Sequence, residues 1–210
     1  MHGVKTGHAL LLLALVTLGL AISAIEPFDR TTWWLEIAPV LLAAAVMGAT
    51  WRRFPLTPLV TLLIALHAGI LMLGGHYTYA RVPLGDWVRD AFELQRNPYD
   101  RLGHFAQGFV PALVAREILL RTSPLRPGKW LAFLVACVAL AISACYEFVE
   151  WWSAVIGGAA AEDFLGTQGD PWDTQWDMFL ALLGAVAAQL GLARTQDRQI
   201  AALREPERVP

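Results

Sequence analysis

Six long apolar runs constrain this chain more than anything else in it. They cover roughly Ala9 to Ile25, Trp34 to Thr50, the stretch from just after Pro58 to Gly75, Asp100 to Leu120, Trp130 to Trp152, and Asp173 to Ala193. A helix needs roughly 20 mostly apolar residues to cross the hydrocarbon core of a bilayer. A helix also satisfies its own backbone N–H and C=O groups, which lipid cannot do. The expected fold is therefore all-α, a polytopic bundle of about six transmembrane helices. Composition agrees, with 56% hydrophobic and only 16% charged residues, where a soluble domain carries about a quarter charged. The first run, with Lys5 ahead of it, also suits a signal peptide. The cleavage signal around Ala21 and Ser23 is weak and more spans follow, which favours an uncleaved first helix.

Loop charge sets the orientation, because Lys and Arg collect on the cytoplasmic side. Lys5, the Arg52–Arg53 pair, the Arg121–Arg126–Lys129 loop and the tail with Arg194, Arg198, Arg204 and Arg208 fall on one side only if there are six spans. Both termini are then expected in the cytoplasm. Tryptophans are expected at the two interfaces, with Trp33, Trp34, Trp151, Trp152, Trp172 and Trp176 outside and Trp51 and Trp130 inside. The chain reads as one transmembrane domain over residues 1–195 and a charged, mobile cytoplasmic tail over 196–210. Leu84 to Gln95 suggests a short surface helix between the third and fourth spans.

The net charge of −2 offers no basic field for nucleic acid, and no zinc-finger, Walker or dinucleotide motif is present. Cys137 and Cys145 lie eight apart in one apolar run. On one helix that is roughly 12 Å, too far for a disulfide.

Ionisable groups inside spans cost roughly 2.5–3.5 kcal/mol each at the bilayer centre, so they need partners and often have a function. Asp100 and His104 sit four apart at the start of the fourth span. Glu147 and Glu150 sit three apart near the end of the fifth, and Asp173 and Asp177 four apart at the start of the sixth. These spacings keep each pair on one helix face. The topology places all three pairs at the outer ends of neighbouring helices. Asp100 and Asp173 also suit helix N-termini, and Glu150 beside Trp151 suits the water interface. His104, Glu147 and Asp177 lie a turn deeper and are the expected catalytic or binding centre. Asp100, His104, Glu147, Glu150, Asp173 and Asp177 together form an oxygen-rich set with one imidazole, fit for a divalent metal ion. Without metal, His104 with Asp100 beside it is a candidate general base. Arg116 and Glu117 near the inner end are expected to snorkel to the interface. His76 is a further candidate for the cluster, and the stretch from Phe164 to Asp177 for a lid, a substrate loop or a simple turn.

Three motifs carry a family resemblance. NPYDRLGHFAQGF (Asn97 to Phe109), YEFVEWW (Tyr146 to Trp152) and GTQGDPWDTQWDM (Gly166 to Met178) together resemble the YjdF-like family of bacterial inner-membrane proteins. A more distant similarity is to the VanZ-like family, linked to glycopeptide resistance. Asp100, His104 and Phe105 match its Asp-x-x-x-His-Phe element, and Glu147 or Glu150 an acid on the next helix. Asp177 and Gly184 match the third element, but Ala181 stands where Asn is expected. The resemblances imply a location in the bacterial inner membrane and point to the same site residues.

The sequence thus suggests a periplasm-facing site acting on an envelope lipid or lipid-linked precursor, with membrane lipids as surroundings and no nucleic acid. The residues leave open whether the site turns over its ligand. The alternatives are a small ion- or proton-coupled transporter, for which a polar stripe should reach the inner side, and a non-catalytic membrane scaffold.

Overall fold

The computed structural model describes residues 6–157 and 162–204, and every regular element among them is helical. Six helices are long: α1 (Thr6–Ser23), α2 (Arg30–Thr50), α3 (Pro58–Tyr77), α5 (Tyr99–Thr122), α6 (Lys129–Gly157) and α8 (Asp173–Arg204). Between α3 and α5 lie a single 3-10 turn (Tyr79–Arg81) and the short helix α4 (Pro83–Ala91). A one-turn helix, α7 (Glu162–Leu165), precedes α8. Local chemistry sets the starts. Asp29 caps α2 by accepting the Thr32 N–H at 2.6 Å, and Thr57 caps α3 just ahead of Pro58, whose missing N–H costs nothing at a first turn.

By length and apolarity, α2, α3, α6 and α8 suffice to cross a membrane, and α1 is a shorter apolar helix. The 24-residue α5 owes its lower apolarity to Asp100, His104, Arg116 and Glu117, all of them buried. Its mid-helix and inner charges face protein and the half-exposed Arg101 lies in its first turn, so it too fits a lipid surround. Large apolar side chains such as Leu42, Phe133, Ile156 and Leu190 point outward instead, as bilayer solvent permits. The exposed Leu84, Trp87 and Phe92 give the α4 region an apolar face, which suits a helix lying in the interface.

Helix contacts inside the bundle rely on small residues, as lipid-embedded packing does. The tightest crossing joins α5 and α8. A Cβ on Gly108 would sit 1.8 Å from the Ala181 carbonyl oxygen, and one on Gly184 2.1 Å from that of Phe105. Ala181 and Gly184, compared above with a VanZ-like element, thus serve helix packing here.

Contacts at the two ends establish an up-and-down arrangement. At one end the last turn of α1 meets that of α3 (Ser23 O to His76 Nδ1, 3.1 Å), and the Tyr146 hydroxyl of α6 reaches Glu36 of α2 at 3.1 Å. At the other end Glu117 of α5 accepts from the Thr57 backbone at 2.9 Å, and Gln199 of α8 accepts from Leu59 N at 2.9 Å. The acid and histidine pairs lie at the first end, and the N-terminal turn of α1 and the C-terminal turn of α8 at the other.

Three expectations need correction. Trp33 does not sit at the lipid interface; it is buried, and its indole N–H donates to Ser23 Oγ at 3.1 Å. Arg116 and Glu117 do not snorkel. Glu117 is fully buried, accepting from Thr57 Oγ1 at 2.6 Å and Arg121 at 2.7 Å, while Arg116 pairs with Gln196 at 3.0 Å and Asp197 at 2.8 Å. The same contacts explain why α8 runs past Ala193 to Arg204 rather than giving way to a mobile tail: Gln196 also donates to the Leu113 carbonyl at 2.7 Å, and Ile200 joins the core. Lys5, Arg208 and the rest of the tail after Arg204 lie outside the described residues. Cys137 and Cys145 are free and exposed on α6.

Candidate functional site

Three helices bring the expected residues to one depth because each carries its pair on the face turned inward. His104 of α5 is central. Its Nε2 lies 3.5 Å from Asp100 Oδ1 and 3.8 Å from Asp177 Oδ2; its Nδ1 lies 3.8 Å from Glu147 Oε1 and 3.3 Å from Gln107 Oε1. Two triads share this histidine, Asp100–His104–Asp177 and His104–Glu147–Glu150. In each, one ligand atom per residue lies within 4.8 Å of the others. All five residues are buried.

The polar atoms of this cluster are not all matched by the protein. Both carboxylate oxygens of Glu147 and Oδ1 of Asp177 are buried without a hydrogen-bond partner. Buried polar groups are almost always paired, so three orphan oxygens around one imidazole mark a place that calls for positive charge.

Asp173 is drawn elsewhere. It pairs with Arg96, a residue that the sequence reading did not single out for the site. The Arg96 guanidinium binds Asp173, donates to Asp100 Oδ2 at 3.0 Å and to the Gly166 carbonyl at 3.2 Å, and approaches Asp170 at 3.6 Å. Burial alone would lower the Arg96 pKa; the hydrogen bond to Asp173 and the charges of Asp173 and Asp100 outweigh it and raise the value. Arg96 therefore stays charged and compensates the outermost acids, leaving His104 as the basic group beside the deeper ones.

The segment after Phe164 is strapped over this end. Gln168 and Asn97 exchange hydrogen bonds, 2.9 Å to Gln168 Oε1 and 3.0 Å to the Asn97 carbonyl. Asp170 pairs with Arg101 at 3.1 Å. Gly166 and Gly169 adopt φ values of 62° and 83°, which glycine alone takes readily. His76 does not join the cluster, being bonded to Ser23.

On the far side of His104 lies a cavity of about 130 Å³. Glu36 of α2 lines it, buried, and accepts the Tyr146 hydroxyl. Tyr79 forms another wall, its ring slotted so closely that a Cβ on Gly74 or Gly103 would come within 2.3 and 2.6 Å of it. Burial pushes the Tyr79 phenol well above its ordinary range, and the nearby Glu36 carboxylate pushes it further. Glu36 is an acid near the start of α2, a position that by itself does not tell which way the side chain turns. Tyr146 stood inside the YEFVEWW motif with no charge to mark it.

Fold and site define a multi-pass helical inner-membrane protein with a buried acid–histidine centre at one end of its bundle. The chain belongs to the family described as "Predicted membrane protein (DUF2238)", whose profile matches residues 8–198. It is 58% identical over 185 residues to the "Inner membrane protein YjdF" of Escherichia coli (strain K12), covering 88% of each chain. That likeness supports the YjdF-like resemblance and the inner-membrane location. No solved structure matches.

Proposed function

We propose that the acid–histidine centre faces the periplasm, holds a divalent cation, and acts on the polar head of an envelope lipid or lipid-linked precursor. The observation that carries this reading is the set of orphan oxygens on Glu147 and Asp177 within ligand distance of His104. His104, Asp177 and Glu147 would hold the ion, with Asp100 and Glu150 completing an oxygen-rich shell of the kind that hard or borderline divalent ions accept. Such an ion polarises a phosphoryl or carbonyl oxygen. Arg96 orients Asp100, and Gln107 orients the imidazole. The site's depth suits a head group, since the six expected residues lie near helix ends. The outer-side assignment rests on the basic loops at the opposite end.

Ion-coupled transport draws less support. At the opposite end, Glu117 and Arg116 are taken up by Thr57, Arg121, Gln196 and Asp197. A scaffold role alone leaves the orphan oxygens without a reason.

Elemental analysis of the detergent-purified chain tests the reading. Near-stoichiometric divalent metal is expected in the native protein, and its loss in His104→Ala and Asp177→Asn variants that still insert. A folded native protein with no metal, even after incubation with Mn²⁺ or Zn²⁺, would sink it.

A further inference from the structure

We propose that the cavity beside His104 is a pocket for the ammonium group of the ligand's head. This deepens the reading above by naming the head group's chemistry. Three carboxylates face the cavity, from Glu36 on α2, Asp100 on α5 and Glu150 on α6, and among the described residues no lysine or arginine lines it. Glu150 is only 8% exposed, and no hydrogen bond or ion pair to it is found among the described residues. A nine-tenths buried carboxylate that receives no hydrogen bond from the described residues, lining a cavity, asks for a cation.

The walls select the kind of cation. Tyr79, Tyr146 and Phe164 line the same space, with the Tyr146 and Phe164 rings edge-on at 6.3 Å. Aromatic faces do not ligate hard metal ions, but they do attract ammonium groups, and carboxylates with aromatic walls are how proteins recognise them. Glu36 also stands outside both metal-competent triads. The volume of about 130 Å³ exceeds what one water needs, roughly 10–15 Å³, and leaves room for a group of several heavy atoms. His104 then separates two subsites. On the α8 side, the orphan oxygens of Glu147 and Asp177 call for a metal that can meet a phosphoryl group. On the α2 side, Glu36 and Glu150 meet an ammonium. A zwitterionic head group carries both charges a few bonds apart.

Calorimetric titration of the detergent-purified full chain with ethanolammonium tests this, with tetramethylammonium as a second probe and ethylene glycol as a neutral comparator. Saturable binding of both cations and none of the glycol is expected. Binding should weaken roughly tenfold or more in Glu36→Gln, whose metal content stays at the native level because Glu36 belongs to neither triad, and in Glu150→Gln. Absence of cation binding in the native chain, equal binding of the glycol, or unchanged binding in a folded Glu36→Gln/Glu150→Gln double variant would each overturn the pocket. Because metal is counted separately, a metal-free protein that still binds ethanolammonium rejects the metal reading and keeps the pocket. Nanodiscs identify the source. Enrichment of phosphatidylethanolamine over phosphatidylglycerol around the native chain, lost in the double variant, assigns the ammonium to lipid. Binding of the free base without such enrichment assigns it to a soluble ligand.

Discussion

At the scale of single residues, two buried ion networks set the strongest expectations. Arg96 is shared by Asp100, Asp170 and Asp173, so removing it strands buried carboxylates at the mouth of the site. Breaking such a network costs about 3–5 kcal/mol. Arg96→Gln is expected to lower thermal stability in detergent by an amount near the lower end of that range. Arg96→Lys should recover only part of it, because an ammonium cannot fork between Asp100 and Asp173 as a guanidinium does. A variant that melts with the native protein would show the network to be idle. At the other end, Glu117 receives the Thr57 N–H, the Thr57 hydroxyl and the Arg121 guanidinium. Glu117→Gln turns an all-acceptor group into one that meets donors with a donor, at a cost of about 2 kcal/mol. A snorkelling interfacial acid would shift stability by less than about 0.5 kcal/mol, so the same melting curve separates the two pictures. This residue also shows where sequence reading runs out. The pattern places Glu117 near a helix end, where lipid and water are close. Its actual partner Thr57 lies 60 positions away in sequence, and no local periodicity encodes that pairing.

At the scale of elements, helix existence was legible because the bilayer imposes one length on every span. The first turns of α5 and α8 were legible too, with the Asp100 and Asp173 pairs marking them. What escaped was the inner end of α8, whose charged residues look solvated until Gln196 is seen capping the Leu113 carbonyl. The site was half legible for a related reason. Spacing fixes which residues share a helix face, so Asp100, Glu147, Glu150 and Asp177 meet around His104, while Asp173 is taken by Arg96. It does not say which face of α2 turns toward them, so Glu36 was missed. Helix approach gives the third prediction. The α5–α8 crossing brings Ala181 O to within 1.8 Å of where a Gly108 Cβ would stand, and the obstacle is backbone that cannot rotate away. Gly108→Ala should force the helices apart and destabilise by about 1–3 kcal/mol. Because His104 is one turn away on α5 and Asp177 one turn away on α8, their 3.8 Å approach should lengthen as well. Metal content of purified Gly108→Ala protein checks this second effect, with Gly48→Ala, at a site with nothing within 4 Å of the added carbon, as the neutral comparison.

At the scale of the whole molecule, two buried polar systems lie at opposite ends of one apolar bundle, and they differ in kind. The Glu117 and Arg116 systems carry both signs of charge and close on themselves. The His104 system has its cation, Arg96, only at the outer rim and leaves deeper acids open. In the proposed reading the bundle is anchored at one end and receptive at the other, which makes the sidedness of the His104 end the decisive question. The up-and-down arrangement puts the α5–α6 loop with Arg126 opposite the strap that leads into α8. In the proposed orientation, with the basic loops inside, the strap lies outside. In a chain carrying Cys137→Ala and Cys145→Ala, Pro171→Cys on the exposed strap should react with a membrane-impermeant maleimide on cells whose outer membrane alone is opened. Arg126→Cys should react only after the inner membrane is opened. The reverse pattern would move the site to the cytoplasmic leaflet and remove periplasmic lipid chemistry from consideration. Labelling of both positions in intact spheroplasts would contradict the six-helix parity itself, because residues at opposite ends of the bundle cannot share one side of a sealed bilayer.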